Sequence, residues 1–334
     1  SKPYFLLTTL KIREINSDWE KLLFEPRLLH NQTRESLIDL YFARANIMHR
    51  DRNYIESAKY LVLANNIKIS INPFDYEKYS LKSKSLMIES KSKSNIPTTV
   101  NSKDCIFIVG MPRSGSTLLE SIISMNNEVI DLGETTLFER SFLKWKTLIG
   151  HKSSKLSSLN QIYCDSLLDL IGEDKITTNK CLYNYQYAGV IAKYISSAKI
   201  IHCYRNPFDN ILSMYRSNFN KGNEFSSSLN DSAKVYIDQN EIMTDYKSEY
   251  PQKIYSLNYD KLVNKPKEEI MNLISWLGWE WNDIYLSPHL NLRSVKTASS
   301  VQVRSPIHSR SVDGWKNYKN MLKPAMEIIK LIDK

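Results

Sequence analysis

A glycine-bearing loop between two apolar stretches has the spacing of a phosphate-binding loop. Gly110 and Gly115 follow the apolar run at 105–109 and precede a helix-like stretch, which is the context that such a loop requires. In nucleoside triphosphatases a lysine follows the second glycine, whereas this chain has Ser116 there and Arg113 inside the loop. Backbone N–H groups and the helix start attract a phosphate. The sequence therefore predicts a cradle that holds no γ-phosphate, and the alternative is a turn without a ligand.

A second cluster of anion-binding residue types follows the apolar run at 198–204. Arg205 comes directly after this run, where a triphosphatase more often has an acidic metal ligand, and Ser213 lies eight positions later. An arginine at a strand end and a serine two turns into the next helix can grip a separate phosphate, with Arg216 as a third donor. The alternative is that Arg205 pairs with a carboxylate such as Asp209. Together the two clusters predict a ligand whose phosphates are set apart.

The central part of the chain alternates short β-branched runs with helix-like stretches. The strand candidates are residues 105–109, 175–178, 198–204 and 253–259. The helix candidates are residues 116–125, 159–171, 185–195, 207–219 and 265–279. This alternation predicts an α/β fold, with a P-loop-type parallel β-sheet flanked by helices. Because ligands bind beyond the C-terminal ends of such strands, we expect the residues that follow the strands to form the site.

Residues 1–100 are expected to form an N-terminal α-helical region, ahead of a domain that spans 101–334. Two stretches, 36–50 and 54–66, have apolar residues at helical spacing and a tight link, which predicts an antiparallel helix pair. The predicted buried faces are Leu37, Leu40, Tyr41, Ala45 and Met48 in the first helix and Ile55, Ala58, Leu61, Val62 and Asn65 in the second. The small alanines make the pair TPR-like, that is, similar to one tetratricopeptide repeat, and a helical cap on the next domain is the alternative. The serine- and lysine-rich stretch 82–104 is predicted to be a linker or a surface passage.

The composition is that of an ordinary globular protein of 334 residues, with 42% hydrophobic and 24% charged side chains. No apolar run reaches the ~20 residues that span a bilayer, so we expect no membrane span. The net charge of +9 favours an acidic ligand, but no nucleic-acid-binding module is recognised and no nucleic acid partner is expected. The four cysteines lack zinc-site spacing, so no metal is expected and a cytoplasmic location is favoured. A secretory-pathway lumen is the alternative if a targeting segment has been removed, and a homodimer is compatible with the sequence.

The two phosphate motifs together resemble the 5′- and 3′-phosphate-binding signatures of sulfotransferases. The resemblance is carried by FIVGMPRSGSTLLE, which starts at Phe107, and by IIHCYRNPFDNILSMYRSNF, which starts at Ile200. It covers roughly residues 100–320 and points to the tyrosylprotein sulfotransferase-like branch, which includes bacterial proteins with TPR-type helices. The resemblance implies that the donor is 3′-phosphoadenosine 5′-phosphosulfate (PAPS). It also implies a hydroxyl acceptor on a peptide tyrosine, a glycan, a lipid or a small molecule, and the basic charge suits an acidic peptide or glycan.

The resemblance assigns roles by position. The residues that would cradle the 5′-phosphosulfate are Arg113, Ser114, Gly115, Ser116 and Thr117. Arg205 and Ser213 would hold the 3′-phosphate. The remaining assignments are Glu134, in VIDLGETTLF, as the catalytic base; Lys180, in TTNKCLYNY, as an active-site lysine; Tyr259 as a nucleotide contact; and Ser299, or else Ser300, as a late serine contact. Arg113 and Lys180 would stabilise the charge of the departing phosphate.

Two positions depart from the family pattern. The basic residue that often precedes the tryptophan of the final motif is replaced by Gly314, ahead of Trp315, and Lys316 or Arg310 is a candidate substitute. The proline that commonly follows the active-site lysine is also absent. Because other sulfotransferase branches use histidine as the base, His308 is a rival to the glutamate.

Two other classes of function stay open on the sequence alone. Sulfuryl transfer needs a base and positive charge at the departing phosphate, which a carboxylate and two cations supply without a metal. An ATP-dependent P-loop phosphotransferase is the enzyme alternative, and Ser116 in the lysine position argues against it. A non-catalytic nucleotide-binding interaction module is the second alternative. Tyr183, Tyr185 and Tyr187 either line an acceptor pocket or belong to the core, and we favour the core.

Overall fold

A computed structural model describes residues 1–9, 18–92, 104–150, 158–173, 175–291 and 302–331. Its α-helices are α1 (Lys2–Thr9), α2 (Asp18–Phe24), α3 (Arg34–Arg50), α4 (Tyr54–Ile71), α5 (Tyr76–Lys91), α6 (Ser116–Ile123), α7 (Leu137–Gly150), α8 (Leu159–Ile171), α9 (Ala188–Tyr194), α10 (Pro207–Tyr215), α11 (Leu229–Glu249), α12 (Tyr259–Asn264), α13 (Pro266–Leu277) and α14 (Lys323–Lys330). Its strands are β1 (Cys105–Gly110), β2 (Val129–Asp131), β3 (Ile176–Asn179), β4 (Ala198–Tyr204) and β5 (Ile254–Asn258). Short 3-10 helices lie at Pro26–Leu29, Leu182–Tyr185, Glu224–Ser227, Asp283–Leu286, Pro288–Leu290, Gln302–Arg304 and Gly314–Tyr318.

The described strands form one parallel sheet in the order β2-β3-β1-β4-β5. β1 lies at its centre, hydrogen-bonded to β3 on one side and to β4 on the other. The predicted α/β fold with a P-loop-type parallel sheet is therefore confirmed, and the four predicted strands match β1, β3, β4 and β5. β2 was not predicted as a strand, because three half-buried residues at a sheet edge carry too little periodicity.

The side chains of β1 alternate between two apolar cores, one on each face of the sheet. Phe107 packs with Phe138 and Tyr163, whose ring centroids lie 5.7 and 5.6 Å away. Ile106 and Ile108 belong to the other cluster, together with Leu119 of α6. Both faces are covered, so β1 is an unbroken apolar run that needs no alternation of polar residues.

The chain divides into two compact units by its contacts. One unit contains residues 1–76, 206–237 and 310–334, and the other contains 77–205 and 238–309. The second unit holds the whole sheet, whereas the first is helical in its described residues. The division into domains at 1–100 and 101–334 stays a prediction. Within the described residues, no helix is long and apolar enough to cross a membrane.

The predicted helix pair is present in the first unit as α3 and α4, which pack against each other. The hydroxyl of Thr33 accepts a hydrogen bond from the Ser36 backbone N–H. Thr33 is the N-cap of α3, a position at which threonine is a preferred residue. The predicted face of α4 is wrong at Ile55, which is 74% exposed, and at Val62. Small and polar residues of that helix are buried instead, among them Ser57. The likeness to a tetratricopeptide repeat stays a prediction.

The prediction of a linker at 82–104 is wrong in its first part, because α5 runs through it. Ser83, Leu86 and Ser90 are spaced by three and four residues and are all buried. The serine-rich composition is typical of a solvated passage, but these serines are the small side chains of a packed helix face. Residues 93–103, the rest of the predicted linker, lie outside the described part of the chain.

Candidate active site

The loop after β1 is shaped by two glycines at which a side chain has no room. A Cβ on Gly110 would lie 2.2 Å from the carbonyl oxygen of Cys203 in β4. A Cβ on Gly115 would lie 2.1 Å from Cδ2 of Tyr259, and this glycine has φ +97°. Arg113 also has a positive φ, 67°, which is uncommon for a residue with a side chain. The loop is thus folded tightly between β4 and Tyr259, and strain of this kind concentrates at ligand-binding loops.

The hydroxyls of the loop are buried at the start of α6. The exposed fractions of Ser114, Ser116 and Thr117 are 1, 5 and 6%. The Ser114 hydroxyl has no hydrogen-bond partner among the described residues. Because a buried hydroxyl without a partner is unfavourable, this side chain points to a ligand that completes its hydrogen bonding. The predicted cradle residues are therefore together in the structure, with Arg113 half-buried beside them.

Arg205 is brought to the same loop from the end of β4. It is 6% exposed, and Nη1 donates a hydrogen bond to the carbonyl oxygen of Arg113 at 3.5 Å. Its guanidinium lies 4.9 Å from the ring centroid of Tyr259, in cation–π contact. Nε lies 4.0 Å from the carboxylate of Asp260. The predicted nucleotide contacts Arg205 and Tyr259 thus touch each other, and the carboxylate beside the arginine comes from the N-terminal turn of α12.

Lys180 and Glu134 meet at the C-terminal ends of the neighbouring strands β3 and β2. The Lys180 ammonium lies 3.1 Å from the carboxylate of Glu134. The side chain of Lys180 is only 1% exposed, whereas that of Glu134 is 58% exposed. A backbone hydrogen bond of 2.9 Å from Lys180 to Gly133 fixes the two segments against each other. The residues predicted to be the base and the active-site lysine therefore form an ion pair, with the carboxylate accessible and the ammonium buried.

Glu120 is a second carboxylate at this lysine, and the sequence analysis did not single it out. Its Oε2 lies 3.5 Å from the Lys180 ammonium, and its side chain is 3% exposed. The Thr178 hydroxyl donates to its other oxygen at 3.4 Å. The signal in the sequence was one acidic residue among the buried apolar residues of α6, next to Leu119 and two positions before Ile122. A charge in a buried helix face requires a partner.

Other predicted site residues belong to the first unit or lie outside the described residues. Ser213 is half-buried on α10, in the first unit, and its pairing with Arg205 stays a prediction. Ser299 and Ser300 lie outside the described residues. Arg216 ends α10, and its guanidinium lies 5.9 Å from the ring centroid of Tyr318.

The final motif is anchored by a buried carboxylate within the first unit. Asp209 accepts hydrogen bonds from the backbone N–H groups of Asp313 and Trp315, at 2.8 and 2.9 Å. The ammonium of Lys316 pairs with Asp313 at 2.7 Å, so this candidate substitute for the missing basic residue has a partner on its own turn. The role of Arg310, the other candidate, stays a prediction.

The aromatic and histidine candidates divide between core and surface. Tyr185 and Tyr187 are core residues, as we favoured, and the Tyr187 hydroxyl donates to Glu139 at 2.9 Å. His202 is buried in β4 against Gln239, and burial lowers its pKa to about 4. His308 is half-buried, and its role as a rival base stays a prediction.

Comparison with known proteins identifies the family of this chain. The sequence pattern of the family described as "Sulfotransferase family" matches residues 105–283, more than half of the chain. The chain therefore belongs to the sulfotransferase family.

Two sequence relatives and one solved structure show the extent of the likeness. An uncharacterized protein of Aquifex aeolicus (strain VF5) is 29% identical over 337 residues, which cover 93% of this chain and 43% of that protein. A Caenorhabditis briggsae protein named "Putative protein-tyrosine sulfotransferase" is 23% identical over 235 residues, 64% of this chain and 81% of that protein. The sulfotransferase domain of the Synechococcus PCC 7002 olefin synthase has the same fold, with a TM-score of 0.52 at 16% identity, over 73% of this chain and 99% of that domain. This chain thus spans less than half the length of the Aquifex relative.

Proposed function

We propose that this protein transfers a sulfuryl group from PAPS to a hydroxyl acceptor, with Glu134 as the general base. The observation that carries the proposal is the ion pair of Glu134 with the buried Lys180. Lys180 follows β3, which neighbours β1, and the phosphate loop after β1 lacks a lysine. An exposed carboxylate can meet an acceptor from solvent. A buried ammonium beside it keeps positive charge where negative charge develops.

The loop residues fit a donor that ends in a phosphosulfate. The buried Ser114 hydroxyl needs a hydrogen-bond partner, and Ser116 and Thr117 stand in the first turn of α6, where backbone N–H groups are available. Arg113 supplies charge without the lysine that serves a transferring γ-phosphoryl group. Arg205 is the residue that would hold a 3′-phosphate, together with Ser213.

Each chemical step has a residue for it in this chain. The acceptor hydroxyl would lose its proton to Glu134 as its oxygen forms a bond to sulfur, and the electron pair of the broken sulfur–oxygen bond would stay on the phosphate oxygen. General-base catalysis contributes about 10²–10⁴-fold. Lys180 and Arg113 would stabilise the charge on the departing oxygen, and no proton needs to leave either of them.

The proposal specifies the acceptor only as a molecule that carries a hydroxyl group. The net charge of +9 favours an acidic peptide or glycan, because basic surfaces raise the local concentration of anions. The name of the Caenorhabditis briggsae relative makes a peptide tyrosine one member of that class.

The experiment that tests the proposal is thermal stabilisation by 3′,5′-adenosine bisphosphate, compared with ATP–Mg²⁺ and 5′-AMP. At about 100 times its dissociation constant, a specific ligand adds roughly 2.7 kcal/mol to the free energy of unfolding. We expect a shift with the bisphosphate and little with the others, followed by transfer of label from PAPS to an acceptor. A shift with ATP–Mg²⁺ alone would favour a phosphotransferase. If the protein binds the bisphosphate but transfers label to no acceptor, and Glu134→Gln binds as the wild type does, a non-catalytic module would be favoured.

A further inference from the structure

Glu120 is a buried carboxylate to which the proposed reaction gives no role so far. It lies one turn inside α6, and the neighbouring side chains of that helix face belong to the apolar core. Removing a carboxylate from water is unfavourable unless it is paired and hydrogen-bonded. Its partners include the Lys180 ammonium at 3.5 Å and the Thr178 hydroxyl at 3.4 Å. A packed apolar side chain would avoid that penalty, so the carboxylate has a reason other than filling space.

Lys180 stands between two carboxylates that differ in their exposure. Glu134 is 58% exposed and Glu120 is 3% exposed, while the lysine itself is 1% exposed. The two carboxylates come from different elements, the segment after β2 and the helix α6, and they hold one ammonium between them. The buried pair experiences a lower dielectric than the exposed one and is therefore the stronger constraint on the ammonium.

We infer that Glu120 is a positioning residue that holds the Lys180 ammonium in place while Glu134 takes up the acceptor proton. This inference rests on the proposed function. Once Glu134 is protonated it no longer attracts the ammonium, and a buried ammonium without a counterion is unfavourable. Glu120 is the carboxylate that remains, so the ammonium stays in place to donate to the departing oxygen. The Thr178 hydroxyl fixes the other oxygen of that carboxylate.

The comparison of kcat with KM, together with rescue by a shorter carboxylate, provides a readout that a merely structural role would not move. Among the described residues, the carboxylates within ion-pair distance of the Lys180 ammonium are Glu120 from α6 and Glu134 from the segment after β2. Loss of the Glu120 carboxylate should therefore lower kcat more than it changes KM, and a carboxylate at the same position should restore part of kcat.

The first experiment compares Glu120→Gln and Glu120→Asp with the matched control Glu139→Gln. Glu139 is also a carboxylate that holds a lysine and a hydroxyl, Lys82 at 2.8 Å and Tyr187 at 2.9 Å. It is not one of the carboxylates that pair with Lys180 in the described part of the chain. The assay is the rate of sulfuryl transfer from PAPS. For Glu120→Gln we expect kcat to fall about 10–100-fold, in line with the loss of one preorganised charge, while the KM for PAPS changes less than about threefold. Glu120→Asp should recover part of kcat, and the control should stay within about twofold of the wild type.

The second experiment measures the pair without reference to catalysis. Melting temperatures are compared for Glu120→Gln, Lys180→Met and the double variant. Each single change leaves a buried charge with fewer partners, whereas the double change removes both charges. The double variant should melt above the Lys180→Met variant, because the unpaired carboxylate is gone. This measurement also covers the case in which Glu120→Gln alone does not fold.

The outcomes separate this inference from the proposed function. If the wild type neither binds 3′,5′-adenosine bisphosphate nor transfers a sulfuryl group, the proposed function fails, and the positioning role fails with it whatever the melting temperatures show. If the wild type is active and Glu120→Gln keeps its kcat, the positioning role alone is overturned. Additive melting shifts in the double variant would likewise overturn it. A lower kcat that Glu120→Asp partly restores, with little change in KM and non-additive melting, would support it.

Discussion

Replacing Gly115 by alanine should destabilise the protein and prevent nucleotide binding. The new Cβ would lie 2.1 Å from Cδ2 and 2.9 Å from Cε2 of Tyr259, so the ring must move. The backbone has φ +97° at this position, and left-handed conformations cost about 1–2 kcal/mol for a residue with a side chain. Moving Tyr259 also removes its contact with Arg205, which is worth about 1–2 kcal/mol for a partly desolvated cation–π pair. We therefore expect a loss of about 2–4 kcal/mol in the free energy of unfolding.

Gly172→Ala is the matched control for this substitution. Gly172 ends α8 with φ +73°, but an added Cβ there meets nothing within 4 Å. It should therefore lose only the backbone contribution, about 1–2 kcal/mol. The assay is urea unfolding of both variants, combined with titration of 3′,5′-adenosine bisphosphate. Equal losses for the two variants, with unchanged nucleotide binding by Gly115→Ala, would refute the steric argument. In a Tyr259→Ala background, Gly115→Ala should lose no more than the control does.

Three further changes test the site and the fold. Glu134→Gln should lower kcat by about 10²–10⁴-fold, or about 3–5 kcal/mol of transition-state stabilisation. Its melting temperature should change little, because the side chain is 58% exposed and Lys180 keeps its buried partner. A variant with full activity would exclude this base. Burial lowers the pKa of His202 to about 4 in the folded state, so the unfolded state binds more protons below pH 6.5 and stability should fall by up to about 3 kcal/mol as the pH drops from 6.5 to 4. Urea unfolding at pH 7.5 and 4.5 should show this loss in the wild type and a smaller one in His202→Asn, and equal losses would contradict the assignment. Phe107→Ala should lose about 3–5 kcal/mol, because its ring is fully buried between two aromatic residues, and a loss below about 1 kcal/mol in the same assay would show that the core collapses around the gap.

The parallel sheet was largely predictable because its central strands are buried on both faces. β1 appears in the sequence as a continuous apolar run and β4 as a mostly apolar one, and the bounds of β4 were predicted to the residue. The loop after β1 was predictable for a related reason, since two glycines at fixed spacing follow a buried strand. The short edge strand β2 was missed, because a half-buried edge leaves little pattern in three residues.

The helical part was predictable as helix but not by face. Ile55 was expected to be buried and is exposed, whereas Ser57 on the same helix is fully buried and donates a hydrogen bond to Ala45 at 2.8 Å. Ser83 and Ser90 belong to the stretch predicted as a linker, but they are buried residues of α5. Hydrophobicity alone cannot identify a face on which small residues permit close helix contact, because serine is frequent both there and in solvated loops.

The residues of the candidate site illustrate the difference most clearly. The types and spacing in the chain determined the phosphate loop, its missing lysine and the resemblance that singled out Glu134 and Lys180, because backbone geometry and charge demand particular residues at particular positions. Tertiary structure alone decided that Lys180 is shared with Glu120, and that Tyr259 lies against Gly115. Those contacts join segments 60 and 144 positions apart, and local sequence carries no record of which distant side chain lies opposite. The sequence therefore determined which groups can do chemistry, and packing decided their protonation partners and positions.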